Sequence, residues 1–134
     1  MQDKTHQQGS GLRYRRIAMP DISGWRVDAQ KSGLTFCRNT ELYGVFEGGE
    51  IRAFTGLLFY RNKVVFKNHY VLRAFRSQGY FRKILEWSIS QANNRNIRTI
   101  EATCTPSSLK EYLNQGFVIV RKYKKVTKVR YENI

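Results

Sequence analysis

Apolar and polar positions alternate through the middle of the chain and then switch twice to a helical period. Thr40 to Phe46 and Ile51 to Tyr60 read as strands joined through Glu47-Gly48-Gly49-Glu50, where paired glycines supply the positive φ angles of a tight hairpin. A second turn at Arg61-Asn62 leads into Lys63 to Leu72, rich in Val, Phe and Tyr, so the three form an antiparallel meander. From Gly79 to Asn93 the period changes. Phe81, Ile84, Leu85, Ile89 and Ala92 recur at i, i+3, i+4 spacing, with Arg82, Lys83, Glu86 and Gln91 on the other side, which predicts an amphipathic helix. Ile97 to Cys104 alternates again as a strand. Thr105-Pro106-Ser107 then has the chemistry of a helix start, with Thr105 as cap and Pro106 at the first helical position. That helix turns Leu109, Tyr112 and Leu113 inward and stops at Gly116. Phe117 to Val120 and Val126 to Tyr131 are two final strands.

The beginning of the chain is less strongly patterned. Met1 to Gly11 is polar and reads as a flexible tail, with no role for His6. Leu12 to Met19 reads as a strand ended by Pro20. Asp21 to Ser32 allows a short helix on Ile22, Trp25, Val27 and Ala29, with Asp21 or Ser23 as cap and Gly24 weakening it. The expected fold is therefore α/β in the α+β sense: a polar tail, 1–11, and one domain, 12–134. Its mixed, mostly antiparallel sheet has six to seven strands, with helices on both faces.

A length of 134 residues allows one domain with one core, and 41% hydrophobic residues suffice to build it. No apolar run is long enough to span a bilayer, so a soluble protein without a membrane partner is expected. The net charge of +14 changes the picture, because it exceeds what solubility needs. Polyanions are the usual partners of such a chain, nucleic acid first, although a cofactor with several phosphates accounts for part of the excess. A merely basic protein has the same composition. Cys37 and Cys104 lack the spacing of a zinc site or a disulfide framework, and no signal-peptide pattern opens the chain. A reducing, cytoplasmic location is the expectation.

Candidate chemistry concentrates where the strand ending at Leu72 runs through a basic, glycine-containing turn into the Gly79–Asn93 helix. The first turn of that helix leaves backbone N–H groups without helical partners, and with the helix dipole these favour an anion. Arg76 adds a positive charge, and Gly79 lets the backbone approach a ligand. An ordinary strand-turn-helix with a solvated arginine has the same residues.

This segment and Tyr112-Leu113-Asn114-Gln115-Gly116-Phe117 together resemble the two best-marked parts of the GCN5-related N-acetyltransferase (GNAT) family. In that family an Arg/Gln-x-x-Gly-x-Gly/Ala turn binds the pyrophosphate of acetyl-coenzyme A (acetyl-CoA), and a later Tyr lies four residues before a Gly-Phe pair. Here Arg76 and Gly79 match the turn, while Phe81 stands where a small residue is expected. Tyr112 keeps its spacing to Gly116 and Phe117, and Thr105 stands about where the family has an Asn. The resemblance implies acyl transfer from acetyl-CoA or a related acyl thioester. It implies Tyr112 as acid for the departing thiolate, and the backbone of Tyr70, Val71 and Leu72 as partner of the pantetheine arm and acetyl carbonyl. Phosphate contacts would come from Arg76 and the N–H groups of Ser77, Gln78, Gly79, Tyr80 and Phe81, with Arg82 nearby.

Acyl transfer also needs a base. His69 shares a strand face with Val71 and is the first candidate. Glu101 on the following strand is the carboxylate alternative, ahead of Glu41 and Glu47. No cluster of His, Cys and carboxylates points to a metal, and no Ser or Cys has a nearby base.

A second signal lies in 121–131, where Arg121, Lys122, Lys124, Lys125, Lys128 and Arg130 are interleaved with Tyr123 and Tyr131. Phosphate contact plus base stacking requires this pattern, and a lysine-protected edge strand shows it too. Resemblance and charge together imply an acceptor that is nucleic acid or bound to it, DNA before RNA. Phage Mom-type enzymes of the same family, which modify adenine in DNA, are similar in size and basic character. The other reading is a non-catalytic nucleic-acid-binding module on a degenerate GNAT fold, motivated by Phe81 and Thr105.

Overall fold

The computed structural model describes residues 6–8, 11–22, 24–25, 29 and 38–132. Strands β1 (His6–Gln8) and β2 (Leu12–Arg16) lead into a 3-10 turn at Met19–Ile22. Strands β3 (Glu41–Glu47), β4 (Glu50–Phe59) and β5 (Lys63–Val71) follow, then a 3-10 turn (Arg73–Phe75) and helix α1 (Tyr80–Asn94). Strand β6 (Thr99–Cys104), helix α2 (Pro106–Asn114) and strands β7 (Val118–Lys122) and β8 (Thr127–Glu132) complete the order. Among the described residues no helix is long and apolar enough to cross a membrane.

The meander forms as its pattern predicts, and Gly48 and Gly49 close its first hairpin with φ of 61° and 80°. Helix α1 joins β5 to β6, which pair in parallel, as a crossover connection requires. The described strands make one sheet in the order β1-β2-β3-β4-β5-β6-β8-β7. Its eighth strand is His6–Gln8, which the sequence reading placed in the polar tail. These residues pair with Leu12–Tyr14, so an edge strand forms there without an apolar pattern. The rest of that tail, most of the helix expected over Asp21 to Ser32, and Cys37 lie outside the described residues.

Both faces of the sheet are covered. Helices α1 and α2 share one face, where Ile84, Leu85 and Trp87 meet Val45, Leu57, Val64 and Ile100 in the main core. Trp87 stacks on Tyr14 at 4.3 Å between ring centres. On the other face Ile22 and Ala29 bury Leu42, Phe54, Tyr70 and Leu72, with Trp25 at the margin.

Candidate active site

Strands β5 and β6 pair only from Lys63↔Thr99 to Phe66↔Ala102, although both continue beyond. The physical reason lies on the β4 side of β5. Gly56 faces Lys67 and Phe54 faces Tyr70, so residues 68 and 69 stand opposite Thr55 alone. This bulge bends β5 and reverses its alternation. Past it the strands leave a gap, and the gap holds a cavity of about 950 Å³. Its walls come from both sheet faces: Phe66, Cys104 and Tyr112 belong to the helix-covered face, and Tyr70 to the other. Val65, Lys67 and Thr103, which alternation turns to that second face, also line it, so the cavity is bordered from both sides of the sheet.

Val71 forms the edge of the gap. Leu72 N–H donates to Arg52 C=O at 2.9 Å, and alternation along a strand then turns the N–H and C=O of Val71 away from β4. Arg76 Nε–H donates to that Val71 carbonyl at 2.9 Å, and its guanidinium lies 5.1 Å from the Tyr70 ring centre. The Arg76–Gly79 turn is thereby tied to the end of β5.

Two residues of this turn have left-handed backbones, Ser77 at φ 65° and Gly79 at φ 85°. Such a conformation is costly at a non-glycine residue and persists where the surroundings enforce it. A Cβ added to Gly79 would meet nothing within 4 Å, so glycine is required there by the backbone angle rather than by space. Gly79 is the N-cap of α1, no side chain caps the helix, and no acidic residue occupies its first turn. With Arg73, Arg76 and Arg82 exposed beside it, this end of the gap favours an anion.

Phe81 is the residue that departs from the turn pattern. Its ring points inward, 6.0 Å from His69 and 5.7 Å from Tyr112 between ring centres. The bulk therefore lies in the inner wall of the cavity, leaving the first-turn N–H groups uncovered by it.

Tyr112 is held by the end of its own helix. Phe117 N–H donates to Tyr112 C=O and Gly116 N–H to Leu113 C=O, each at 3.1 Å, with Gly116 at φ 98°. This is a Schellman termination, completed by the edge-on contact of Phe117 with Tyr112 at 5.1 Å. The four-residue spacing from Tyr to Gly thus has a local cause, and its effect is to fix a buried tyrosine in the cavity wall. Burial pushes the hydroxyl pKa well above its ordinary value, so Tyr112 carries its proton at neutral pH.

At the start of the same helix Pro106 stands where expected, but Thr105 does not cap with its side chain. Its hydroxyl lies 3.0 Å from that of Ser107 instead. Cys104, Ser108 and Glu111 also line the cavity. The sequence reading missed them, and the i, i+4 spacing of Ser108 and Tyr112 was the available signal. Burial pushes the Cys104 thiol up, which keeps it from acting as a thiolate nucleophile.

The two candidate bases occupy different places. His69 reaches the cavity wall on the face it shares with Val71. Its ring is packed against Phe66 at 5.1 Å, with the Thr55 hydroxyl 2.9 Å from Nδ1 and the Ser88 hydroxyl 3.4 Å from Nε2. Burial lowers its pKa from 6.5 to about 4. Glu101 is not brought to the cavity. It points to the other sheet face, where Lys63 and Arg130 lie at 3.0 Å and Lys128 at 3.8 Å. Burial opposes its ionisation, but hydrogen bonds from Lys63 and Arg130 outweigh that and hold the carboxyl below its usual range. Glu41 is engaged by Arg95 at 2.7 Å, and Glu47 accepts from Tyr80 at 2.6 Å.

The His69 environment has a measurable consequence. Between about pH 6.5 and about pH 4 the unfolded chain binds a proton at His69 that the native chain does not. Stability from this group is therefore full above that window, falls by about 3 kcal/mol as pH drops through it, and levels off below. Urea unfolding of His69→Gln between pH 7 and pH 4.5 is expected to show a shallower loss than the parent chain. An equal slope would mean that the imidazole is hydrated.

The basic residues of 121–131 lie at the β7–β8 end of the sheet, and a second basic group lies on β2. Arg121, Lys122, Lys124 and Lys125 surround the turn between β7 and β8, and Lys128 and Arg130 continue into β8. Arg13, Arg15 and Arg16 sit on β2, with β3, β4, β5 and β6 between them and β8. Arg15 lies over Phe46 at 4.4 Å, and Arg16 is 3.9 Å from Glu41.

A sheet opened between two parallel strands, an uncapped helix N-terminus at one mouth and a protonated tyrosine in the wall define a group-transfer enzyme for a phosphate-bearing donor. The chain belongs to the GNAT acetyltransferase family, whose model matches residues 13–117. Solved structures share its fold. An IAA acetyltransferase from Bacillus cereus ATCC 14579 is 16% identical, with a TM-score of 0.70 over 90% of this chain and 99% of its own. A GNAT family acetyltransferase from Elizabethkingia anophelis with acetyl-CoA bound is 17% identical, with a TM-score of 0.69 over 91% and 98%. The ribosomal-protein-S18-alanine N-acetyltransferase of Escherichia coli is 12% identical, with a TM-score of 0.73 over 92% and 95%. No curated protein sequence matches the chain significantly.

Proposed function

We propose that this GNAT enzyme transfers an acetyl group from acetyl-CoA to an amine carried by nucleic acid or by a component bound to it. The observation that carries the donor side is the gap past Phe66↔Ala102, which opens at the uncapped α1 N-terminus. The residues fit such a donor. Arg76, Arg82 and the N–H groups of 77–81 would hold the pyrophosphate, and the strand edge at Val71 would pair with the pantetheine arm. Bound there, acetyl-CoA supplies an activated acetyl group and a thiolate leaving group. Val71 N–H, which points away from β4, would polarise the acetyl oxygen, and Tyr112 O–H would give its proton to the departing sulfur. His69, with a pKa near 4, is a weak base at neutral pH. Glu111 is the one carboxylate lining the cavity among the described residues, and it takes the role of proton acceptor in this reading. The acceptor side rests on the charge of +14 and on its concentration around the β7–β8 turn.

The test is acetyl-CoA labelled in the acetyl group, incubated with the enzyme and with single-stranded DNA, RNA or small amines in turn. Label is expected in the nucleic-acid fraction. Label only in small amines would overturn the acceptor while leaving the acetyltransferase in place.

A further inference from the structure

Strand register puts five cations on one sheet face. Val65↔Glu101, Glu101↔Arg130 and Thr103↔Lys128 are Cα partners, and partners point to the same side. Lys63 and Lys67 are on that side of β5, and Arg121 joins them through its pairing with Lys128. Glu101 and Glu132 are the acidic residues among them, and Glu101 is buried under its three ion pairs while the cations around it stay 35% to 39% exposed. This face borders the gap, since Lys67, Thr103 and Val126 line the cavity.

Val126 is also one turn from the hairpin tip, where Tyr123 N–H donates to Val126 C=O at 2.8 Å. Tyr123 is 49% exposed, with the Arg121 guanidinium over its ring at 5.1 Å. A half-exposed aromatic set among Arg121, Lys122, Lys124 and Lys125 offers a base somewhere to stack and phosphates somewhere to bind. A base in a duplex already has its stacking partners. Moreover, an amine has to leave the stack to enter a gap in a sheet.

From these observations we infer that the Tyr123 hairpin tip and the Lys67–Lys128 rim form a binding strip for single-stranded nucleic acid, which presents a base amine to the cavity from the face opposite α1 and α2. The inference rests on the acetyltransferase reading for its purpose, not for its binding data.

Fluorescence anisotropy with a short labelled strand, as DNA and as RNA, and with the corresponding duplex tests it. At least one single strand is expected to bind, more tightly than the duplex. Tyr123→Ala is expected to weaken the strand roughly fivefold or more and Tyr123→Phe to restore it, because the ring and not the hydroxyl stacks. Lys67→Gln with Lys128→Gln is expected to cost on the order of tenfold and to flatten the salt dependence. Arg98→Gln with Lys110→Gln removes the same charge away from the strip and is expected to change little. Equal losses from both double variants, tighter binding of duplex, or no binding of either strand would each overturn the strip. Thermal stabilisation by acetyl-CoA, measured on the parent and on Tyr123→Ala, reports on the donor site independently. Its presence without strand binding sinks the strip alone, and its absence from the parent sinks the acetyltransferase reading.

Discussion

Tyr112→Phe is expected to lower kcat by about 10²-fold or more, while acetyl-CoA still raises the melting temperature as in the parent chain. The hydroxyl is buried in the cavity wall and its pKa is raised, so at neutral pH it is a proton donor and not a phenolate. Phenylalanine keeps the ring that packs on Phe117 and Phe81, and it leaves the backbone bonds of the helix termination untouched. Loss of rate without loss of fold is then the signature of a missing acid. The measurement is release of free thiol in the presence of the acceptor, beside thermal unfolding with and without acetyl-CoA. A kcat within about threefold of the parent would remove Tyr112 from the chemistry and leave it a packing residue.

Arg76→Ala is expected to abolish most of the thermal stabilisation by acetyl-CoA, with affinity falling by roughly 10- to 100-fold, the scale of lost charge-assisted hydrogen bonds. Two contributions act together. The guanidinium brings charge to the α1 N-terminus, and its Nε–H ties the turn to the Val71 carbonyl at 2.9 Å. Arg76→Lys separates them, since an ammonium keeps the charge but lacks the planar fork. Partial recovery is expected from lysine. Full recovery would make the turn's anchorage irrelevant, and an unchanged shift in Arg76→Ala would move the phosphate site elsewhere.

Much of the fold was legible because its elements obey local rules. Paired glycines at 48 and 49 announce their hairpin, and the Phe81–Ala92 spacing announces α1. The short strand at His6–Gln8 was not legible, since backbone pairing at a sheet edge leaves no apolar signature. The turn before α1 could be read because glycine at a positive φ and a helix start leave marks in sequence. The wall of the cavity could not. Cys104, Ser108 and Glu111 come into it through the divergence of β5 and β6, which depends on a bulge at residues 68 and 69 that no residue type there announces. Glu101 shows the converse. Alternation placed it on the strand next to the site, but only strand order reveals Lys63, Lys128 and Arg130 closing around it. Phe81 departs from the turn pattern by its bulk, but sequence gives the size of a side chain and not the side to which it turns.

On the proposed reading, a cavity bordered from both sheet faces also sets how the two reactants travel: the donor would enter beside the α1 N-terminus and the acceptor beside the β7–β8 turn. Neither would then have to depart before the other arrives, and the spent donor would withdraw while a long acceptor stays threaded for another round.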